Sequence, residues 1–451
     1  MNTSYLTRAI FSSEGMSSIF SPLNSVQRML DVEAALAQAL AAEGVIPQDA
    51  AAVIADCCVA KNIDLDTIAR EARQAGNLAI PLIRQLTAQV GVHDPEAAKY
   101  VHWGATSQDV IDTALVLQLQ EALQWVSEEL ATLANALARL ALRYRKTPMM
   151  GRTWMQQALP ITFGLRAAGW LDAVLRHQDR IAILRNQVSV LQFGGAAGSL
   201  ASLGDQGLAV AHALASRLEL AVPAAPWHAH RDRVTEVATT LGLLTGTFGK
   251  IARDVSLQMQ TEIAEVSEPV AQGRGGSSTM PHKRNPVACA MVIAASERVP
   301  PLVSTMLSAM VQEHERALGG WQAEWDTLPQ IAELTAAALS QLRDMIEGLQ
   351  VDEARMRANI NLTGGLVMAE AISLALSQHI GRAAAHELVE AACEKASRTS
   401  VTLQDVLCAD DRVLQYLNTD ALATLFDPAH YLGQALAFTD RVLELHRQRK
   451  I

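Results

Sequence analysis

Between Gly273 and Pro286 the chain reads Gly-Arg-Gly-Gly-Ser-Ser-Thr-Met-Pro-His-Lys-Arg-Asn-Pro. Its glycines give conformational freedom, Ser277 and Ser278 supply hydroxyls, and His282, Lys283 and Arg284 supply cationic donors. Pro281 and Pro286 keep it from merging into neighbouring helices. A catalytic or anion-binding lid has these ingredients. A glycine-rich surface connector has the same composition. The GxxxxGK[ST] order of a P-loop is absent, so nucleotide-phosphate binding by that device is unsupported.

Two other segments carry groups suited to anions. His102-Trp-Gly-Ala-Thr-Ser-Gln-Asp-Val-Ile-Asp-Thr113 offers an imidazole and the hydroxyls of Thr106 and Ser107. Those hydroxyls suit a substrate carboxylate and equally suit a helix N-cap. His102 could likewise be an ordinary hydrogen-bonded histidine. Gly151-Arg-Thr-Trp-Met-Gln-Gln-Ala-Leu-Pro-Ile-Thr-Phe-Gly164 sets Thr153 and Trp154 directly after an arginine. Arg316, in EHERALGGWQAEW, could bind a carboxylate or sit in an ion pair. His228 and His230 have no Cys or carboxylate companion at ligand spacing, so neither a metal nor any other cofactor is expected.

Long helices must position these segments. Apolar residues fall at Val116, Leu119, Leu123, Val126, Leu130, Leu133, Leu137, Leu140 and Tyr144, in unbroken steps of 3 and 4. That spacing is one continuous helix seam. Asp112 or Thr113 is placed to cap its start, and Pro148 lies beyond its end. A second seam runs Val234, Val237, Leu241, Leu244, Phe248, Ile251 and Val255. Each predicts a helix of roughly 30 residues, about 45 Å long, against an average of about 11–12 residues. Helices of that length need partners of equal length, packed near +20°. Three more helical stretches follow: one after Pro160 as far as Gln192, one from about Pro286 to Met310 with an interruption at Pro300 and Pro301, and one from about Trp321 to Leu349. Strand-like alternation is almost absent. The expectation is an all-α protein: an N-terminal helical domain over 1–112, a central long-helix bundle over 113–350 and a C-terminal helical domain over 351–451.

Composition agrees. Of 451 residues 50% are apolar but only 4% aromatic, the mixture long packed helices favour. With 37 Lys+Arg against 47 Asp+Glu the net charge is −10, which disfavours a generally basic nucleic-acid binder or a cationic membrane-surface protein. The five cysteines are scattered and odd in number, so no disulfide framework is expected. Residues 1–14 lack the apolar stretch of a signal peptide, and the longest uncharged run, Asn186 to Gly204, holds four glycines. A cytoplasmic setting without membrane contact is expected.

The string GSSTMPHKRNP, Gly276 to Pro286, resembles the signature of the fumarase/aspartase superfamily. The His102–Thr113 and Gly151–Gly164 segments resemble two further superfamily segments in the same order. Supporting likeness runs from LDVEAAL near residue 30 to FDPAHYLG at Phe426–Gly433. The resemblance implies a homotetramer around a twenty-helix bundle, with five long helices per subunit and active sites shared between subunits. It implies Ser277 as the catalytic residue. Lys283 and Asn285 match substrate-binding and charge-stabilising positions, and His102, Thr106 and Ser107 match the segment that holds substrate carboxylates. The likeness is greatest to the superfamily's lactonising branch. That implies a small-molecule tricarboxylate, 3-carboxy-cis,cis-muconate, closed to 4-carboxymuconolactone in aromatic catabolism.

Departures from other members narrow the reading. After Gly-Arg-Thr, adenylosuccinate and argininosuccinate lyases carry a His; here stands Trp154. In adenylosuccinate lyase a segment like His314-Glu-Arg316 leads into a Ser and a second Arg that grip the nucleotide phosphate. Those places hold Trp321 and Trp325. A nucleotide-releasing C–N lyase is therefore disfavoured. Lactone opening expels a carboxylate, reference pKa about 4, which gains little from a proton donor. Trp154 can instead offer an apolar wall and an indole N–H, unless it only fills the bundle core. Three alternatives stay open: another lyase of the superfamily with a succinyl-type substrate, a catalytically silent relative, and a helical scaffold for partner proteins.

Overall fold

The computed structural model describes residues 7, 9–269, 275–276, 280, 283–399 and 401–449. After α1 (Pro22–Ala42), the chain builds five long helices: α2 (Ser107–Arg143), α3 (Phe163–Val188), α4 (Asp232–Gln258), α5 (Val287–Ala309) and α6 (Gly320–Glu347). Every residue of the two 3,4-spaced seams is buried, from Val116 on α2 to Tyr144 just past its end and from Val234 to Val255 on α4. At 37 residues α2 extends for about 55 Å. The fold is all-α.

Three local expectations need correction. Neither Asp112 nor Thr113 caps α2, which begins at Ser107; both are buried in its second turn. Pro300 and Pro301 lie inside α5 without ending it. Each proline withholds only its own N–H, and the flanking apolar residues Val299 and Met306 are buried. Finally, strand is present where almost none was expected, although the helix expected after Pro160 does form, from Phe163. Pro148–Thr153 (β1) and Gln156–Thr162 (β2) form an antiparallel hairpin, with Met150 paired to Pro160 and a register irregularity beside Gly151.

The chain packs as two compact units. One takes Met1–Leu130, His177–Gly249 and Met291–Ser340; the other takes Ala131–Arg176, Lys250–Ala290 and Gln341–Ile451. Each of the five long helices crosses a boundary, so all five supply both cores.

In the first unit, Ser21 caps α1 by accepting from the Asn24 amide, and Pro22 occupies the first turn. The helix packs against Gln48–Cys57 and Gly207–Arg217. Here α4 and α5 approach closely at Gly249, where a Cβ would overlap Ser296. In the second unit the hairpin packs against α7 (Glu353–Ile360), and Val266–Ser267 (β3) pairs with Gln350–Val351 (β4). The C-terminal helices α8 (Ala369–Ile380) and α9 (Arg382–Thr399) close over Ile372, Leu376, Val389, Leu403 and Leu407. Among the described residues α5 is long and apolar enough by length and composition to cross a bilayer, as is one bent pair, Glu353–Thr363 with Leu366–Ile380. Only 28% of the apolar window of α5 is buried within the chain.

Candidate active site

In the first unit the start of α2 is held by one buried carboxylate. Asp109 accepts from the amides of Thr106 (3.0 Å), Gly194 (3.0 Å) and Gly195 (2.9 Å), and from Nε2 of His228 (2.7 Å). The reach back to Thr106 is half of a capping box, closed by the side chain three positions into the helix. Thr106 Oγ1 is thus free of capping and accepts instead from Nη1 of Arg316 at 2.9 Å. Arg316 Nη2 donates to the Ala196 carbonyl at 3.0 Å, tying the Phe193–Gly207 turn to the same place.

One turn further along α2, Asp112 meets Arg231, whose side chain is 0% exposed. Both carboxylate oxygens accept from its guanidinium, at 2.7 and 3.1 Å, and Glu324 of α6 takes the other edge at 2.6 to 3.2 Å. The Trp321 indole donates to Asp112 at 2.9 Å and stacks edge-on against Trp325. One guanidinium thus serves two carboxylates. Burial pushes the Glu324 carboxyl up, more than Arg231 draws it down. Burial also opposes the charge of Arg231, and Asp112 and Glu324 outweigh it.

His102 stands at the turn before α2 with φ +61°. Gly104 follows at φ +80°, where a Cβ would overlap Leu203. Nδ1 of His102 lies 2.6 Å from Oε1 of Glu33, a carboxylate of α1 that is 1% exposed. Burial draws the imidazole pKa down, but Glu33 and then Asp109 raise it further, and the net shift is upward.

In the second unit Arg152 forms a two-pronged pair with Glu265, at 2.7 and 3.0 Å, and Asn359 donates to the same carboxylate at 2.9 Å. Arg166 nearby is held below its usual range, by burial first and by the charge of Arg152. Beyond Arg152 the hairpin turns through Trp154 and Met155, at φ +51° and +65°. Two positive φ values in a two-residue connection are the type I′ arrangement, which favours Asn-Gly. Trp154 is 97% exposed, so it does not fill the core of its own chain; Thr153 is exposed as well.

Lys283 and Asn285 line a cleft of about 990 Å³ with Met259, Val266, Gln350 and Glu353. The backbone closes the base of their loop: Gly276 bridges Arg284, and the Asn285 amide donates to the Gly275 carbonyl at 2.9 Å. Glu268 accepts from the Ala288 and Cys289 amides at 3.0 and 2.9 Å and so caps α5. Ser277 lies outside the described residues. The structure thus brings Arg316 to Thr106 in the first unit, with Ser107 next along the chain and His102 in the turn before. Thr153, Trp154, Lys283 and Asn285 belong to the second.

Residues 9–300 match the lyase family, and residues 365–442 match the adenylosuccinate lyase C-terminus family. The chain belongs to the lyase family. Among its relatives, the 3-carboxy-cis,cis-muconate cycloisomerase of Pseudomonas aeruginosa is 53% identical over 97% of this chain and 95% of that protein. The Acinetobacter baylyi protein of the same name is 50% identical over 98% of each. The crystal structure of the 3-carboxy-cis,cis-muconate lactonizing enzyme from Pseudomonas putida superposes with a TM-score of 0.95, at 48% identity over 99% of this chain and 100% of that one. The superfamily resemblance seen in three short segments therefore extends over the whole lyase chain.

Sequence reasoning missed the acids that organise this lyase's segments. Asp109 stood inside a quoted motif, yet its partner His228 is 119 positions away. Glu33 lies in the LDVEAAL stretch and Glu265 ahead of the glycine-rich loop. Among the described residues, four of the seven non-glycine residues with positive φ, His102, Trp154, Met155 and His314, fall in or beside the candidate segments. Backbone held in sparsely populated regions clusters where function requires it.

Proposed function

We propose that this protein closes 3-carboxy-cis,cis-muconate to 4-carboxymuconolactone. The observation that carries the reading is full-length likeness, about half the residues identical, to cycloisomerases of that name. It is joined by the surroundings of Arg316, whose acceptors are neutral, and by Trp321 and Trp325, which pack edge-on at the positions where the resemblance puts the phosphate grip of adenylosuccinate lyase.

One terminal carboxylate oxygen attacks the alkene carbon that bears the 3-carboxylate, forming the ring C–O bond. The π pair moves to the adjacent carbon, whose charge spreads into the other terminal carboxylate. A proton delivered to that carbon completes the lactone, a dianion formed from a trianion and one proton. The developing charge requires preorganised donors, and Lys283, Asn285 and loop amides fill that role. His102, Thr106, Ser107 and Arg316 hold the carboxylates that do not react. Ser277 delivers the proton, with cationic support because a free hydroxyl is a weak acid. Thr153 and Trp154 wall the ring, and the indole N–H is available to a ring oxygen. No leaving amine forms, so a histidine at position 154 is dispensable.

The assembly belongs to the same reading: a homotetramer in the cytoplasm whose subunits together complete each site. The low burial of apolar α5 within one chain supports it. The test is incubation with 3-carboxy-cis,cis-muconate while diene absorbance is followed. Expected are lactone formation, a loss of at least about 100-fold in Ser277→Ala, and no fumarate from adenylosuccinate or argininosuccinate. Fumarate released from either at a comparable rate overturns the proposal.

A further inference from the structure

Glu33 comes from α1, outside the three segments that carry the candidate site. Its side chain is 1% exposed, and Oε1 lies 2.6 Å from Nδ1 of His102. Its second oxygen, Oε2, is buried and has no hydrogen-bond partner among the described residues. A buried carboxylate is costly unless a cation or several donors answer it. Among the described residues His102 is the one titratable cation bonded to it. The imidazole itself is 19% exposed, and its Nε2 makes no hydrogen bond to any described residue. With Nδ1–H committed to Glu33, the state of Nε2 decides what His102 can hold. A neutral ring presents a lone pair there, which repels a carboxylate. A cationic ring presents N–H, which donates to it.

We propose that Glu33 is a positioning residue for substrate binding: it fixes the His102 ring through Nδ1 and keeps it cationic, so that Nε2–H grips a carboxylate of the polycarboxylate substrate. The ligand's identity rests on the carboxymuconate reading; the Glu33–His102 pair does not. The surrounding charges agree. Asp109, at the start of α2, adds to the attraction, while its own oxygens are occupied by three amides and His228. Arg316 is bonded to Thr106 on the same segment. Cys58 faces Glu33 from the turn after Gln48–Cys57; burial first, and Glu33 next, push its thiol up, so it stays neutral. Glu33 is therefore the dedicated counter-charge of His102, as the third member of a catalytic triad is for its histidine.

The test uses the full-length protein and two readouts. Hydrogen–deuterium exchange at the imidazole Cε1 against pH, read by mass spectrometry on the His102 peptide, gives the protonation midpoint of that ring. The midpoint is expected above the ordinary value of about 6.5 in the wild type, and lower in Glu33→Gln. In kinetics with 3-carboxy-cis,cis-muconate, Glu33→Gln raises KM about tenfold at pH 8, the loss of one charge-assisted contact, and less at pH 6. Its kcat stays within about threefold, since only ground-state and transition-state binding common to both is lost. His102→Gln raises KM at both pH values, and the double variant matches His102→Gln. A wild-type midpoint at or below about 6.5 overturns the proposal, as does a Glu33→Gln KM–pH profile that superimposes on the wild type. If Glu33→Gln does not fold, the wild-type midpoint alone decides. A protein that never turns over carboxymuconate loses the substrate reading, and the exchange midpoint still judges the pair.

Discussion

Arg316 donates from Nη1 to Oγ1 of Thr106 at 2.9 Å, across 210 positions of sequence. Its other hydrogen bonds end on the carbonyls of Gly195 and Ala196, and its buried Nε has no partner among the described residues. All these acceptors are neutral. A guanidinium positioned by dipoles alone keeps its full attraction for an anion and is held still to receive one.

Replacing Arg316 by Lys keeps the charge and loses the planar fork. Lys cannot hold Thr106, Ala196 and a substrate carboxylate at once. The expected result is a fall in kcat/KM of about 10- to 100-fold, carried by KM, from losing roughly 1.5–3 kcal/mol of charge-assisted bonding. Steady-state kinetics that leave KM unchanged would remove Arg316 from the binding site.

Asp109 answers three amides and His228 in a buried place. Asp109→Asn keeps one acceptor oxygen and turns the other into a donor that faces donors. We expect the variant to lose about 3–5 kcal/mol of stability, the range for breaking a buried charged partner set. Guanidinium unfolding measures it, and a loss under about 1 kcal/mol would show that the helix start is held by other means.

At the hairpin tip Trp154 and Met155 both take positive φ, which costs about 1–2 kcal/mol per L-residue. Asn-Gly suits that turn. The double change Trp154→Asn with Met155→Gly should therefore raise the unfolding temperature while lowering turnover at least tenfold, because the indole wall is gone. A variant with lower stability, or with unaltered turnover, contradicts this account of the strain.

The Glu33–His102 pair also sets a pH dependence of stability. The imidazole pKa in the folded protein lies above its unfolded value of about 6.5. The stabilisation is therefore complete below that value and disappears as pH rises through the folded one. The stability gap between wild type and Glu33→Gln should be largest near pH 6 and shrink toward pH 9. Denaturant titrations at both pH values check it; a gap that widens with pH would contradict the assignment.

What could be read in advance followed from periodicity. The seams of α2 and α4 announce themselves because one helix face repeats every three or four residues, whatever lies opposite. The start of α2 did not, since Asp112 looks like a cap in sequence and is instead the partner of Arg231, 119 positions away. The β1–β2 hairpin was hidden by a Trp-Met turn in place of Asn-Gly. Among the site residues, hydroxyls and cations in short motifs were visible. The acids Glu33, Asp109 and Glu265 were not, because an isolated carboxylate in a sequence looks solvated until its distant partner is known.

The closures around the glycine-rich loop are nested. Glu268 fastens to the first turn of α5, and inside that the strand-like contacts of Gly275–Gly276 with Arg284–Asn285 join the two arms again. Two fastenings of unlike kind thus hold neighbouring positions: main-chain bonds fix Arg284 and Asn285 against Gly275–Gly276, and a side-chain carboxylate fixes the helix that starts two residues later. A change of side chain at Glu268 would loosen the helix start, whereas the pairing of Gly275 with Asn285 depends on no side chain at all.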